Sequence, residues 1–339
     1  MRPTTSPVAI WAGMIVLYVV WGTTYLGMAV TIETIPPFVM TALRFATAGL
    51  VLGAFAVLHA RGSIPRPTRR QLIDSAIVGT ALVAIGNALV GWGEQTVPSG
   101  IAAILIALMP AWVAVFGRIF FRDRLPAVVL VGIAIGIVGV VVLAWPTTGG
   151  GGSLEPAGLV ALILSPIGWS LGSLYAARRA TLPSPPLFAT GLQMLFGAGA
   201  ATLLATVTGE WARFDPATVS DRSLVGLVYL IVVGSLIGYT TYGWLLRKAP
   251  LSRVSTYTYI NPIVALVLGA IVLNEPITPR AIVASVVIIV AVVLIVTARG
   301  RLPGPSVARE SADRRRAVSP RPAPSERRVE PAPSRSASG

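Results

Sequence analysis

The chain has 339 residues, of which 54% are hydrophobic and only 12% are charged. A soluble domain carries roughly 25% charged residues, so this composition excludes one large water-facing globule, and the gathering of apolar residues into long runs excludes a disordered chain. The 27 Lys and Arg against 13 Asp and Glu, net +14, point either to nucleic acid or to the positive bias of cytoplasmic loops.

In chain order, a short N-terminal segment, 1–7, precedes the first apolar run at 8–30, which holds Trp21 and Tyr25. This run is long for a cleaved signal peptide and no small-x-small cleavage site follows it. The next runs are 37–58, with Arg44 inside it, and 71–93, with Asn87 inside, Trp92 near its end and Glu94 just past it. Pro110 interrupts the run 97–117, Asp123 follows it, and 126–145 comes next. A glycine-rich linker, 146–156, leads to runs at 157–177, 186–208 and 223–246, the last holding Tyr239. The run 251–273 contains Tyr257, Tyr259, Asn261 and Pro262; Glu275 follows, and 277–298 is the tenth. Each has about 20 residues, the helical length that crosses a hydrocarbon core. The expected fold class is therefore an all-α polytopic membrane protein with ten transmembrane helices. Residues 299–339 carry ten Arg, four acids and seven Pro with no apolar run, and read as a disordered basic cytoplasmic tail.

The loops decide what the charge means. Taking alternate loops as one side puts 23 basic residues there and three on the other, with Arg44 left inside a span. This predicts both termini in the cytoplasm of a multi-pass protein of the cytoplasmic (inner) membrane. It leaves no nucleic acid among the expected partners, which are the bilayer and a small organic solute. Catalysis has little to work with. There is no Cys, one His (His59) and one Lys (Lys248), so thiolate chemistry, an H-E-x-x-H zinc site and a G-x-x-x-x-G-K-[ST] phosphate loop are excluded. No enzyme activity, metal or cofactor is expected.

A shift of 152 superimposes the two halves. Gly86 meets Gly238, Trp92 meets Trp244, Pro98 meets Pro250, Pro110 meets Pro262 and Asp123 meets Glu275. Nearer the N-terminus the shift is 148–149, bringing Trp21 onto Trp169 and Arg44 onto Gln193. The units are 8–145 and 157–298. Five spans each is an odd number, so the second unit enters the membrane from the opposite face. Inverted repeats of this kind mark secondary transporters that work by alternating access.

The residues Trp21-Gly22-Thr23-Thr24-Tyr25, Arg44-Phe45, Asn87, Glu94-Gln95 and Val97 to Ala103 resemble the drug/metabolite transporter superfamily, EamA type. So do Pro110, Arg122-Asp123-Arg124-Leu125-Pro126, Asn261-Pro262 and Asn274-Glu275-Pro276-Ile277. The pattern is especially similar to the YedA-like inner-membrane exporters. The resemblance covers about 8–298 and implies two five-helix repeats that export small metabolites or drugs. It also implies a cavity lined mainly by spans 1, 3, 4, 6, 8 and 9. Asp123 departs from it, since many members have Glu there.

Arg44 is the sharpest candidate, roughly 10 Å from the outer face at 1.5 Å per residue. It is either clamped to Glu94 or available as a gate or anion-binding group in the cavity. Asn87 and Asn261 either bridge helices or hydrogen-bond a solute. Trp21, Tyr25, Trp92, Tyr239, Tyr257 and Tyr259 either line the cavity, where rings stack on a planar or cationic solute, or belong to interfacial belts and packing. Pro110 and Pro262 are expected helix breaks. Asp123 and Glu275 are expected structural caps for the helices that follow them. Asp74 and His59 are expected at a solvated interface. Gly49-x-x-x-Gly53 and Gly132-x-x-x-Gly136 allow close helix approach, within the chain or in a homodimer. The reading is a secondary transporter exporting small metabolites, amino-acid-like solutes or drugs. The alternative is a membrane receptor or sensor whose basic tail binds a cytoplasmic partner.

Overall fold

The computed structural model describes residues 6–60, 64–144, 155–249, 254 and 256–300. Most of the linker and the tail, and the predicted disorder of that tail, lie outside the described residues. In the first half, α1 (Pro7–Thr31) and α2 (Pro37–His59) each start on proline, whose fixed φ and missing N–H suit a first helical turn. A capping box between Thr68 and Gln71 starts α3 (Arg69–Gly79). A π-helical stretch, Thr80–Ile85, joins it to α4 (Ala88–Gly93). Then come α5 (Ser99–Ile106), α6 (Met109–Phe121) and α7 (Ala127–Ala144).

The second half repeats the order. It has α8 (Pro156–Arg178), α9 (Pro186–Val207), the short α10 (Glu210–Arg213) and α11 (Asp221–Tyr229). A second π stretch, Leu230–Ile237, leads to α12 (Gly238–Lys248), followed by α13 (Tyr257–Leu273) and α14 (Pro279–Gly300). No strand occurs among the described residues. Among the described residues, eight helical segments are long and apolar enough to cross a membrane, and Ala127–Leu143 and Tyr257–Leu273 are apolar but shorter.

The two halves share local geometry. The described non-glycine residues with positive φ are Arg122 (56°) and Asn274 (54°), which stand 152 residues apart. Each ends its helix in the left-handed conformation. The next residue then donates back to an equivalent carbonyl, Asp123 N to Gly117 O and Glu275 N to Gly269 O, both at 3.1 Å. Equivalent helices also pack on each other, α2 on α9 and α7 on α14. A Cβ on Gly49 would meet Gly191 O of α9 at 2.9 Å, and one on Gly132 would meet Ala291 O of α14 at 3.0 Å. Both glycines are thus used inside the chain.

Among the described residues, four carboxylates tie one half to the other by hydrogen bonds. The Glu275 carboxylate accepts Ser99 N (2.8 Å) and Gly100 N (3.2 Å) at the start of α5. Its cap is therefore on the other half and not, as the sequence suggests, on the helix that follows. Asp123 holds Arg178 of α8 through two bonds of 2.7 and 2.6 Å. Asp74 is fully buried, which corrects its expected place at a solvated interface. It accepts Tyr175 Oη (2.6 Å), Thr181 N (2.7 Å) and Arg70 Nε (2.9 Å). Glu210 is buried too, and accepts Phe38 N (2.8 Å) and Val39 N (3.2 Å) where α2 begins. Burial pushes its carboxyl above the usual range, against the pull of those two N–H groups.

Removing such an acceptor leaves buried donors unsatisfied, at about 1–3 kcal/mol. Glu210→Ala is expected to lower the stability of the detergent-solubilised protein by about that much. Glu33→Ala, which breaks the exposed pair with Arg222 (3.4 Å), is expected to cost under about 1 kcal/mol. Thermal unfolding of the two variants checks the ordering.

Candidate solute cavity

Between the two halves lies a small cavity of about 80 Å³. Its lining comes from α1 (Trp21, Thr24, Tyr25, Met28), α2 (Arg44), the segment around α4 (Gly86, Asn87, Val90), α5 and α6 (Ala103, Ile106, Met109), α8 (Trp169), α12 (Tyr239) and α13 (Tyr257, Thr258, Asn261, Pro262). Eight expected residues meet there: Trp21, Tyr25, Arg44, Asn87, Tyr239, Tyr257, Asn261 and Pro262.

Trp21 is the hub of a ring cluster. Tyr257 stands 4.8 Å from it, Tyr242 5.1 Å, Tyr239 5.9 Å and Trp169 6.2 Å, between ring centroids. Small residues make room for it. A Cβ on Gly238 would lie 2.6 Å from Trp21 Nε1, and one on Gly86 would lie 2.9 Å from Trp169 Cε3. Each tryptophan thus nests against a glycine of the opposite half, in equivalent positions.

The helices that line the cavity are irregular beside it, and side chains satisfy the backbone they disturb. Asn87 Nδ2 donates to Leu82 O (3.1 Å) in the first π stretch and to Tyr239 Oη (3.4 Å). Ser165 Oγ donates to Gly86 O (2.6 Å), and Ser170 Oγ to Met109 O (3.2 Å) where α5 gives way to α6. Without water, an orphaned carbonyl would cost several kcal/mol, of order 2–7. Pro110 sits at the start of α6, at that break. Pro262 differs from expectation, because α13 runs through it unbroken. With its side-chain amide turned so that the nitrogen faces the neighbouring acceptors, Asn261 donates to Tyr257 O (3.0 Å) and to Tyr18 O of α1 (3.2 Å).

Arg44 is 3% exposed. Its Nε donates to Ser235 Oγ in the second π stretch, at 2.9 Å, and its guanidinium carbon stands 4.7 Å from the Phe45 ring centre. The expected Arg44–Glu94 clamp is not formed. Among the described residues, ion pairs join Arg70 to Asp74, Arg178 to Asp123 and Arg222 to Glu33. Glu94 lies outside the lining, 8% exposed, with neither carboxylate oxygen hydrogen-bonded. Two aromatic candidates also fall elsewhere. Trp92 packs into the main apolar core. Tyr259 packs with Ile104, Ile288 and Val292 towards α14.

Ser235, Ser165 and Ser170 have no sequence signal, since a serine in an apolar run reads as neutral. Only the partner across the gap gives each a task.

A buried cation with no anion beside it costs stability, so an apolar replacement of similar volume is expected to be neutral or stabilising, by about 1–4 kcal/mol. Arg44→Met is therefore expected to hold or raise the unfolding midpoint in detergent. A fall of several degrees would assign Arg44 to structure.

The profile of the EamA-like transporter family matches residues 8–145 and again residues 156–297. The "Uncharacterized inner membrane transporter YedA" of Escherichia coli strain K12 is 34% identical over 301 residues, covering 88% of this chain and 94% of that protein. The "Probable terminal-alkyne amino-acid exporter" of Streptantibioticus cattleyicolor is 26% identical over 292 residues, covering 85% of this chain and 93% of that protein. One crystal structure matches with a TM-score of 0.59 at 19% identity, covering 90% of this chain and 99% of that one; at that identity it speaks to the fold alone. Two family matches that together span most of the chain, and a relative above 30% identity over nearly its whole length, lead to one conclusion: the chain belongs to the EamA-like transporter family and is a multi-pass membrane transporter.

Proposed function

We propose that the chain exports small amino-acid-like solutes, metabolites or drugs across the cytoplasmic (inner) membrane, by alternating access between two inverted five-helix repeats. The observation that carries the reading is Arg44. It is a buried guanidinium inside a spanning helix, at the wall of a cavity, with one hydroxyl partner and no carboxylate partner among the described residues. A solute carboxylate placed there would supply the missing anion. The ring cluster around Trp21 then packs against the solute's body. Asn87 and Asn261 hold the helices that line the site, and Tyr25, Tyr239 and Tyr257 shape it. Glu94 belongs to the gate, and Asp123 and Glu275 are structural.

Ten spans follow if the two shorter apolar helices, α7 and α13, are counted with the eight longer segments. The units would be 8–145 and 157–298, with segment 1–7 and the tail 299–339 in the cytoplasm and the linker 146–156 outside. Inversion is supported by the way equivalent pieces touch. α2 meets α9 and α7 meets α14, and Asn87 donates to Tyr239, its partner 152 residues on. Contact between equivalents is what a two-fold axis in the membrane plane produces. A solute-coordinating role without cofactor or catalysis is the consistent reading, with one chain holding the whole cavity.

Orientation is directly testable, because the chain has no native cysteine. Arg124→Cys and Ile277→Cys, both exposed beside the equivalent left-handed turns, are expected to label from opposite faces of right-side-out vesicles. Labelling from one face would sink the inversion. Transport is read by counterflow in proteoliposomes with labelled leucine, its decarboxylated amine and cationic dyes. Leucine is expected to exchange and the amine is not. Arg44→Gln is expected to weaken leucine exchange roughly ten- to hundredfold, from the 1.5–3 kcal/mol of a hydrogen bond to a charged group. Equal exchange of acid and amine, or an unaffected variant, would refute the anion site.

A further inference from the structure

Glu94, just outside the cavity lining, is the candidate residue left without a mechanism by the reading above. Its place follows from the helix it ends. Asn87 and Val90 line the cavity, and Glu94 follows at i+7 and i+4, on the same face. It therefore sits one turn, about 5.4 Å, beyond the lining. The carboxyl is more than nine-tenths buried, and both its oxygens lack a hydrogen-bond partner.

The titratable groups that face it come from three elements. Tyr25 projects from α1, Arg44 from α2, and Glu275 stands after α13. From α8, Gly158 and Leu162 press against Gly93, and Glu155 at that end of α8 is exposed. A second carboxylate, a cavity cation and no direct partner form an unusual setting. An ionised carboxylate held there is costly, and taking up either a proton or a cationic group relieves the cost.

We propose that Glu94 is a proton-exchange site: its carboxylate holds either a proton or the ammonium group of a zwitterionic solute whose carboxylate sits at Arg44. Exchange is one for one. When the ammonium arrives, the carboxyl gives its proton to water on the cytoplasmic side. When the solute leaves outward, the carboxylate takes a proton from the outer side. No bond other than O–H forms or breaks, and each outgoing zwitterion is matched by one incoming proton. The π stretch just ahead of α4 is where the helix can rewind to turn Glu94 towards the cavity. The inference rests on the reading of Arg44 as the carboxylate site, and extends it from where the solute binds to what drives it.

Two measurements on the full-length protein test it. In proteoliposomes with the membrane potential clamped, a pH gradient is expected to accumulate labelled leucine about tenfold per pH unit at equilibrium, the value for one proton per neutral zwitterion. Glu94→Gln is expected to lose this accumulation and to weaken leucine counterflow, with whatever exchange remains independent of the pH gradient. Glu94→Asp, which keeps the titrating group, is expected to keep the accumulation with a shifted pH profile. Infrared difference spectra of the solubilised protein titrated with acid are expected to show a carboxylic-acid band that is missing in Glu94→Gln.

Accumulation in Glu94→Gln equal to wild type overturns the proposal. So does an unshifted profile in Glu94→Asp, or an acid band that survives the Gln change. Should leucine fail to exchange at all in the wild type, the Arg44 reading falls, and the infrared band still decides whether Glu94 takes up a proton.

Discussion

The Glu275 carboxylate closes the first turn of α5 by accepting Ser99 N and Gly100 N, and the rest of the bundle is organised around bonds of this kind. A helix leaves its first four N–H groups without intrahelical partners. In hydrocarbon there is no water to take them. Here the acceptors for α2 and α5 come from the opposite half of the chain, as Glu210 and Glu275. At the other end of the bundle Asp74 and Asp123 reach across in the reverse direction, to Tyr175, Thr181 and Arg178. Neither half satisfies all of its own helix ends, and at α2 and α5 each acceptor comes from the other half.

The same exchange operates at depth. Two π stretches, a break between α5 and α6, and a cavity all disturb the regular backbone near the middle of the bundle. Asn87, Ser165 and Ser170 repair it with hydrogen bonds to exposed carbonyls. Trp21 and Trp169 fill the gaps left by glycines of the facing half. Irregular backbone is tolerated in a membrane only where it is buried in protein or borders a cavity, and here it does both. The cavity is therefore a consequence of how these breaks are arranged, with the repaired carbonyls forming its frame.

Much of this was legible in the sequence. The 152-residue shift located equivalent pieces, including Asp123 and Glu275, although the left-handed turns just before them carry no sequence signal. Intramembrane rarity was enough to single out Arg44. What the sequence could not supply was partner choice. Glu94 looked like the nearest anion to Arg44 because both lie towards one membrane face, yet the hydroxyl of Ser235, from a distant helix, takes the bond. Glu275 seemed bound to the helix beside it in sequence, but the left-handed turn at Asn274 directs it to α5. Asp74 read as solvated from its position near a run's edge, while packing against α8 buried it. Each discrepancy is a long-range contact, and periodicity carries no information about those. Tyr259 and Trp92 are the milder case. Ring residues in a spanning helix face a cavity, a neighbour or lipid according to helix rotation, which packing sets.

Near-symmetry explains the frame, but the function needs the place where symmetry fails. Arg44 has Gln193 as its counterpart, so only one half carries a charge at this depth. Two equal cations facing one cavity would repel each other and would tie the site to divalent anions. A single cation fits the carboxylate of a monovalent or zwitterionic solute. Keeping that cation without a carboxylate beside it is costly when the cavity is empty. On the proposed reading the cost would fall when a solute supplies the anion, and a ligand shifts a conformational equilibrium only by such a difference between states. A pre-formed Arg44–Glu94 pair would have removed that difference before any solute arrived. On the proposed reading, holding the two apart, with Ser235 bonded to the guanidinium, would leave interaction energy available to the solute and, through Glu94, to the proton.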